Sequence, residues 1–374
     1  MKHPEFPLSD EIIYLNHAAV GPWPQRTSTA VANFAEQNCR YGSYYYPDWM
    51  KKEAELRNQL QALLNAPSPD DIALVKNTSE ALSFVAYGLD WQAGDNIVTS
   101  NEEFPSNRMP WQSLADQGVE LRQADLGSAD TPEEALLALV DSRTRLLTIS
   151  SIQFASGLRM DLERIGAFCK KHEILFCIDA IQSLGAVRFD AQAYQADFVM
   201  ADGHKWMLGP EGLGVFYTTP EARDRLKLTQ YGWHMMRDTH NYENKPWEIH
   251  PTARRFECGS PNMLGIHALS ASLSLLLETG MAVVEALVLE NSDYLRDEMN
   301  RNDSLTLLSS PKSSLKSGIV VFKHRALDNA TLHRHLLEKG VFCAQRGAGI
   351  RFSPHFYNTR EEMTRALNYV AEFN

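Results

Sequence analysis

Cysteine is scarce in this sequence, and the few cysteines that occur are scattered. Five lie among the 374 residues, at positions 39, 169, 177, 258 and 343, and no two of them form a C-x-x-C pair. An odd count at wide spacing argues against a disulfide framework and against a zinc site. The sequence therefore predicts no bound metal, and a reducing cytoplasm is the compartment that fits best.

Long apolar runs and excess positive charge are also missing. The most apolar helical stretch, residues 268–277, carries three serines and is far shorter than the ~20 residues of a membrane span. Residues 1–7 lack the apolar core of a signal peptide. Lys and Arg number 36 against 47 Asp and Glu, a net charge of −11. We therefore expect no membrane, and no nucleic acid, as the main partner.

Short apolar runs alternate with helical patterns from about residue 70 onward. The strand-like runs are Ile72–Val75, Asn96–Thr99, Arg145–Ser150, Ile174–Ile178, Phe198–Met200 and Gly214–Tyr217. Continuous apolar strands separated by helices predict an α/β fold with a mostly parallel sheet covered on both faces. In such sheets ligands bind beyond the carboxyl ends of the strands.

The pattern changes after Gly265. A long helix is predicted over Ile266–Leu289, in which Gly280 allows a break, and it is followed by short strands and helices. This part is typical of a smaller α+β domain. We therefore predict an N-terminal segment over residues 1–22 that packs near the site, a large domain over 23–265 and a small C-terminal domain over 266–374.

A lysine and an acid follow two of the predicted strands. Asp179 ends the run that begins at Phe176, and Lys205 follows the run Phe198–Ala201 in the sequence Asp-Gly-His-Lys-Trp. A lysine on a turn after a buried strand can form a Schiff base with an aldehyde, and an acid nearby can keep a ring nitrogen protonated. The pair predicts pyridoxal 5′-phosphate as cofactor. The alternatives are a surface lysine in a loop and a structural acid at a strand end.

A candidate anion site lies in the sequence Asn77-Thr78-Ser79-Glu80, where a strand gives way to a helix. Free backbone N–H groups at a helix start, with the hydroxyls of Thr78 and Ser79, form a cradle for a phosphate. An ordinary N-cap is the alternative. The two interpretations are compatible, because the residues that cap the helix would also form the cradle.

Three motifs in combination carry a family resemblance: Asp179-x-x-Gln182, Gly203-His204-Lys205 and Gly259-Ser260-Pro261-Asn262. With them the chain resembles the class V aminotransferase family of fold-type I pyridoxal-phosphate enzymes over nearly its whole length. That family also holds cysteine desulfurases, kynureninases and isopenicillin N epimerase-like proteins. The resemblance implies a large domain with a seven-stranded type of sheet, a small C-terminal domain and a homodimer.

The resemblance also assigns roles to single residues. It implies catalytic roles for Lys205, Asp179 and His204, and a place for Arg351 and Asn16 on the substrate side, with Arg351 as the clamp of the α-carboxylate. Further cofactor contacts are Gln182 and Gln153 near the phenolate oxygen, Phe104 stacked on the ring, His204 with Thr78 and Ser79 near the phosphate, and Ser260 reaching the phosphate of a partner subunit. Arg346, Arg254 and Arg255 are weaker candidates for a second anionic group of the substrate.

Two departures from the family pattern affect the function. Desulfurase relatives often carry a phosphate-binding serine three residues before the lysine, where this chain has Asp202, so we expect that carboxylate to point away from the phosphate. Desulfurases also need a cysteine on a mobile loop before the arginine. The nearest cysteine here, Cys343, lies in an apolar strand-like run, which argues against desulfuration.

The sequence thus predicts an enzyme that removes the α-proton of an amino acid bound to pyridoxal phosphate. An aminotransferase of the class V type, with a 2-oxo acid as second substrate, is the first hypothesis. The alternatives within the family are an isopenicillin N epimerase-like epimerase and a carbon–sulfur lyase or desulfurase. A non-catalytic pyridoxal-phosphate-binding protein is the alternative of a different class.

Overall fold

The computed structural model describes residues 3–239, 243, 246–310, 312 and 315–372. Its strands are β1 Ile13–Tyr14, β2 Ile72–Val75, β3 Asn96–Ser100, β4 Glu120–Ala124, β5 Thr144–Ser150, β6 Leu175–Asp179, β7 Phe198–Asp202, β8 Gly214–Thr218, β9 Leu305–Leu307, β10 Val320–His324, β11 Val341–Phe342, β12 Ala344–Arg346 and β13 Gly349–Phe352. Its α-helices are α1 Gln25–Tyr41, α2 Tyr46–Leu64, α3 Thr78–Gly88, α4 Met109–Gln112, α5 Pro132–Leu137, α6 Leu162–Lys171, α7 Pro220–Asp224, α8 Met263–Thr279, α9 Met281–Asn300, α10 Asn329–Glu338 and α11 Arg360–Ala371.

A seven-stranded sheet forms the centre of the fold, in the order β2-β8-β7-β6-β5-β3-β4. Its strands run parallel except β8, which is antiparallel to both of its neighbours. Every residue of β6 and β7 is buried, as expected for strands covered on both faces. The prediction of an α/β fold with a mostly parallel sheet is confirmed.

One strand of this sheet escaped the sequence analysis. Strand β4 lies at the edge next to β3, and in its sequence, Glu-Leu-Arg-Gln-Ala, only the last residue is buried. An edge strand has no neighbour on one side, so it needs no continuous apolar run to form. The apolar pattern that identifies the inner strands is therefore missing from β4.

The C-terminal part forms a second, smaller sheet in the order β12-β13-β10-β9, all antiparallel. Strand β1, from the other end of the chain, pairs in parallel with β11. Ile13 and Leu15 are buried in the same apolar cluster as Phe322 and Phe352. The N-terminal segment is thereby fixed to the C-terminal sheet, and the chain after it runs toward the large sheet.

The long helix predicted around Gly280 is two helices. Gly280 has a φ of 85°, which favours glycine, and α8 and α9 meet there at 85°. Helix α8 packs against α1 and α2, whereas α9 contacts β9, β10 and α11. The domain limits 1–22, 23–265 and 266–374 stay a prediction, and this packing favours Gly280 as the boundary.

No single helix of the described residues is long and apolar enough to cross a membrane, although α8 and α9 taken together, bent as they are, have the length and the composition. Within the same residues no cluster of three or more His, Cys, Asp or Glu side chains could hold a metal ion.

Candidate active site

The carboxyl ends of β5, β6 and β7 meet at one edge of the large sheet. A cavity of about 250 Å³ opens there, between this edge, the N-terminus of α3 and the small sheet. Seven of the residues predicted for the site line it: Thr78, Ser79, Phe104, Asp179, His204, Lys205 and Arg351. The structure thus brings most of the predicted side chains together at the strand ends, where the sequence analysis expected a ligand to bind.

Lys205 lies on the turn that follows β7 and is 8% exposed. Its Nζ atom is 5.5 Å from the centre of the Phe104 ring. Burial lowers the pKa of Lys205 to about 8, although Asp179 opposes the shift. A lysine with this pKa is partly neutral near neutral pH, as an amine that attacks an aldehyde must be.

The turn of Lys205 is held by the N-terminal segment. The backbone N–H of Gly21 donates to the carbonyl oxygen of His204 at 2.7 Å. A Cβ atom at Gly21 would lie 2.2 Å from the carbonyl oxygen of Lys205. The segment therefore needs glycine at this point, because only a residue without a side chain can approach the lysine turn so closely.

Asp179 is the last residue of β6 and is 2% exposed. Burial raises its pKa to about 7, although its Oδ1 atom accepts a hydrogen bond from the N–H of Ile181 at 3.0 Å. A carboxyl group with this proton affinity is suited to hold a protonated ring nitrogen, because a nearby positive charge would favour its ionised form.

The N-terminus of α3 offers donors for a phosphate. Asn77 caps the helix by accepting from the N–H of Glu80, and the Oγ1 atom of Thr78 is buried without a hydrogen-bond partner among the described residues. Ser79 is bonded to Ser106, which also lines the cavity. An unpaired buried hydroxyl at a helix start fits a phosphate group.

Asp202 corrects one expectation from the sequence. It was expected to point away from the phosphate site, but it lines the cavity, with its Oδ1 atom 3.1 Å from Nδ1 of His204. Asp179 is the register partner of Met200, so two residues further along β7 Asp202 points to the same face. The site therefore carries a carboxylate close to the helix that would hold the phosphate.

Two arginines face the cavity from the small sheet, Arg346 at the end of β12 and Arg351 on β13. Arg351 is 1% exposed and donates from Nη1 to the carbonyl oxygen of Phe154 at 2.7 Å. Its Nε is unpaired within the described chain. Burial, followed by the charge of Arg346, lowers the pKa of Arg351 to about 9, so it stays charged at neutral pH and can bind a carboxylate.

A model of the class-V aminotransferase family matches residues 13–365. The chain belongs to this family. The membership confirms the resemblance noted in the motifs, the fold-type I architecture and pyridoxal 5′-phosphate as cofactor. Residues with suitable chemistry are in place for that group: an amine in Lys205, an acid in Asp179 and a helix N-terminus with an unpaired hydroxyl at Thr78.

Curated proteins similar to this class-V protein carry the name cysteine desulfurase. A probable cysteine desulfurase of Methanothermobacter thermautotrophicus is 29% identical over 96% of this chain and 94% of its own length. The cysteine desulfurase of Yersinia pestis bv. Antiqua (strain Angola) is 27% identical over 97% of this chain and 95% of its own.

A solved structure of C-DES, a mutant with glycine covalently linked to the PLP cofactor, superimposes with a TM-score of 0.92 at 23% identity, covering 99% of both chains. A second solved structure of C-DES, named there a cystine C–S lyase in complex with cysteine persulfide, superimposes with a TM-score of 0.90 at 23% identity. At this identity the likeness establishes the fold.

Four predicted site residues of the class-V protein do not line the cavity. Gln182 is 2% exposed and bonded to the carbonyl oxygen of Ala18 and to Nε1 of Trp206. Gln153 donates to Glu103, and its Oε1 is unpaired among the described residues. Their contacts to the cofactor stay predictions.

The other two are Asn16 and Ser260. Asn16 forms a backbone bridge with Ser353, and its Oδ1 is buried without a partner in the described chain. Ser260 lines a neighbouring surface pocket with Gly259 and Asn262, so its contact to a partner subunit stays a prediction. Of the weaker arginine candidates, Arg254 lies 3.4 Å from Glu53 and Arg255 3.1 Å from Asp224, and neither lines the cavity.

Cys343 lies between β11 and β12, outside the cavity lining. It is 5% exposed, and burial raises the pKa of its thiol to about 12. A thiol of this kind is almost fully protonated at neutral pH and is a poor nucleophile. No cysteine of the described residues lines the cavity.

Proposed function

We propose that this protein is a pyridoxal-phosphate-dependent carbon–sulfur lyase that cleaves the Cβ–S bond of a cysteine-type amino acid. The observation that carries the proposal is a cavity lined by Lys205 and Arg351, with no thiol among its described lining residues. The names of the relatives, cysteine desulfurase and cystine C–S lyase, support sulfur chemistry. They favour this alternative over the aminotransferase that the sequence suggested first.

When bound, pyridoxal phosphate withdraws electrons from the α-carbon of the amino acid. Arg351 binds the α-carboxylate and thereby orients the substrate relative to Lys205. Lys205, whose pKa burial lowers to about 8, takes the α-proton as general base. Asp179 would hold the protonated ring nitrogen of the cofactor, and Phe104, which lines the same cavity, would stack on its ring.

The sulfur group leaves without an enzyme thiol to accept it. Loss of the α-proton and cleavage of the Cβ–S bond leave a Cα=Cβ double bond, and the sulfur departs with the bonding electrons. With L-cysteine the leaving group is hydrosulfide, and with L-cystine it is the persulfide of cysteine. Hydrolysis of the remaining aminoacrylate gives pyruvate and ammonia. The low reactivity of the Cys343 thiol supports this course over a desulfurase with an enzyme-bound persulfide.

The test is an assay of the protein loaded with pyridoxal phosphate on L-cysteine, L-cystine and L-alanine. We expect sulfide or persulfide, pyruvate and ammonia in equal amounts from the sulfur amino acids, and no transfer of the amino group. Transfer of the amino group to a 2-oxo acid without sulfur release would favour the aminotransferase. Exchange of the α-proton in D₂O with recovery of racemised substrate would favour the epimerase.

The homodimer and the cytoplasmic location remain part of the proposal. Ser260 and its neighbours lie at the surface next to the helix that begins at Met263, where a second copy of the chain could reach them. Sedimentation of the protein loaded with pyridoxal phosphate tests the dimer. A monomer with full cofactor content would contradict the proposal of a homodimer.

A further inference from the structure

Glu103 is a buried carboxylate that the chemistry above does not use. It is 5% exposed and has no Lys, Arg or His within ion-pair distance among the described residues. Its two oxygens accept hydrogen bonds from Ser150 N at 2.8 Å, Ser150 Oγ at 2.5 Å, Gln153 Nε2 at 2.8 Å, Asn107 Nδ2 at 2.8 Å and Ser100 Oγ at 3.3 Å. Burial raises the pKa of Glu103, and these hydrogen bonds oppose the shift. The N–H groups of Ser150, Gln153 and Asn107 can only donate, so they favour the ionised carboxylate.

The position of Glu103 connects two parts of the site. Phe104, the next residue, carries the ring that lies 5.5 Å from Nζ of Lys205. Ser150 is the last residue of β5 and the register partner of Asp179. One carboxylate therefore ties the loop that carries the ring to the strand end beside Asp179.

The charge of Glu103 also acts on the site. Burial raises the pKa of Asp179, and the nearby Glu103 carboxylate raises it further. No cation of the described residues contacts Glu103 to neutralise this charge. The other charged or titratable side chains that face the cavity are Asp202, His204, Glu211, Arg346 and Arg351, and they remain in place when Glu103 is replaced.

We propose that Glu103 is a positioning residue of this active site: its buried carboxylate fixes the Phe104 ring relative to Asp179 and Lys205, and it places a negative charge beside the strand end that carries Asp179. The proposal rests on the assignment of Lys205 and Asp179 as the residues that hold pyridoxal phosphate. It needs no particular substrate, so a failure of the carbon–sulfur lyase assignment would leave it standing.

The first measurement uses the protein loaded with pyridoxal phosphate and no substrate. The absorbance band of the lysine adduct is titrated with pH in the wild type, in Glu103→Gln and in Glu102→Gln. Glu102 is the neighbouring acid, bonded to Ser156, and serves as the matched control. We expect Glu103→Gln to lower the midpoint by roughly one pH unit, because a negative charge beside the site is lost, and Glu102→Gln to leave it unchanged. An unchanged midpoint in a folded, loaded Glu103→Gln variant would overturn the role of the charge.

The second measurement separates position from charge and also covers the case in which Glu103→Gln does not fold. Glu103→Asp keeps the charge but shortens the side chain by one methylene. We expect a midpoint like that of the wild type and a kcat about tenfold lower on whichever amino acid reacts, with little change in KM, because the ring is misplaced relative to the lysine. A Glu103→Asp variant with the wild-type kcat would overturn the positioning role, and a shifted midpoint in it would overturn the role of the charge.

Discussion

The Nε2 atom of His355 lies 3.0 Å from the carbonyl oxygen of Trp206. Trp206 directly follows Lys205, and His355 follows the strand that carries Arg351. The other ring nitrogen of His355 accepts the N–H of Phe356 at 2.8 Å, so the neutral ring satisfies both contacts. One buried histidine thus joins the turn of the candidate catalytic lysine to the C-terminal segment that carries Arg351.

The first prediction concerns acid stability. Burial lowers the pKa of His355 to about 4, and burial also lowers that of the adjacent His17. Between pH 6.5 and about 4 the unfolded chain binds a proton at His355 that the folded chain excludes. The free energy of unfolding therefore falls as the pH falls through this window, on the order of 3 kcal/mol for His355 alone. Urea titrations at a series of pH values measure the loss.

The variant His355→Gln provides the matched test of that histidine. The amide of glutamine can still donate to the carbonyl oxygen of Trp206, but it does not titrate. We expect a smaller loss of stability between pH 6.5 and 4, with the remainder due to His17 and the acidic residues. An equal loss of unfolding free energy in both proteins would exclude His355 as a source of the acid sensitivity.

The second prediction concerns the Schiff-base lysine. Lys205→Ala should abolish the borohydride-reducible absorbance band of the protein loaded with pyridoxal phosphate, because this amine lines the cavity. Lys227→Ala is the control, since Lys227 is exposed and paired with Asp90. Retention of the reducible band in Lys205→Ala would assign the adduct to another lysine.

The third prediction follows from the pKa of the same lysine. The neutral amine is the reacting form, and burial lowers its pKa to about 8. The rate at which the cofactor-free protein forms a borohydride-reducible adduct should therefore rise with pH up to about 8 and level off above it. An ordinary lysine has a pKa of about 10.4, so a rate that still rises steeply at pH 10 contradicts the burial of Lys205.

Residues at strand ends were predictable from the sequence, and contacts between loops were not. Asp179 and Lys205 each follow a continuous apolar run, and such runs identify buried parallel strands. The direction of Asp202 depends on the register between β6 and β7, which a single sequence does not contain. Glu103 follows β3 in a polar loop, and its burial arises only when Ser150 and Asn107 come near. No motif marks a carboxylate whose partners are distant in sequence.

The fourth prediction concerns Asp202. Its carboxylate faces the cavity near the start of α3 and should repel a phosphate dianion. Asp202→Ser removes that charge and supplies a hydroxyl, so we expect it to bind pyridoxal phosphate about tenfold more tightly, as measured by equilibrium titration. Weaker binding in Asp202→Ser would mean that the 3.1 Å contact with His204 supports the phosphate site.

The fifth prediction compares the two arginines of the cavity. Arg351 is buried, without a carboxylate partner among the described residues, and its guanidinium is expected to bind the α-carboxylate. Replacement by glutamine removes a desolvated charged contact, a loss of about 2–3 kcal/mol, which corresponds to a rise in KM of roughly 30- to 150-fold for L-cysteine.

Arg346 is the matched comparison, because it faces the same cavity but is exposed. An exposed charge is screened by water and contributes less, so Arg346→Gln should raise KM for L-cysteine less than about fivefold. Steady-state kinetics on both variants, at equal cofactor content, show which of the two arginines binds the α-carboxylate. If Arg346→Gln has the larger effect, the α-carboxylate binds at the cavity mouth and Arg351 serves to hold the carbonyl oxygen of Phe154.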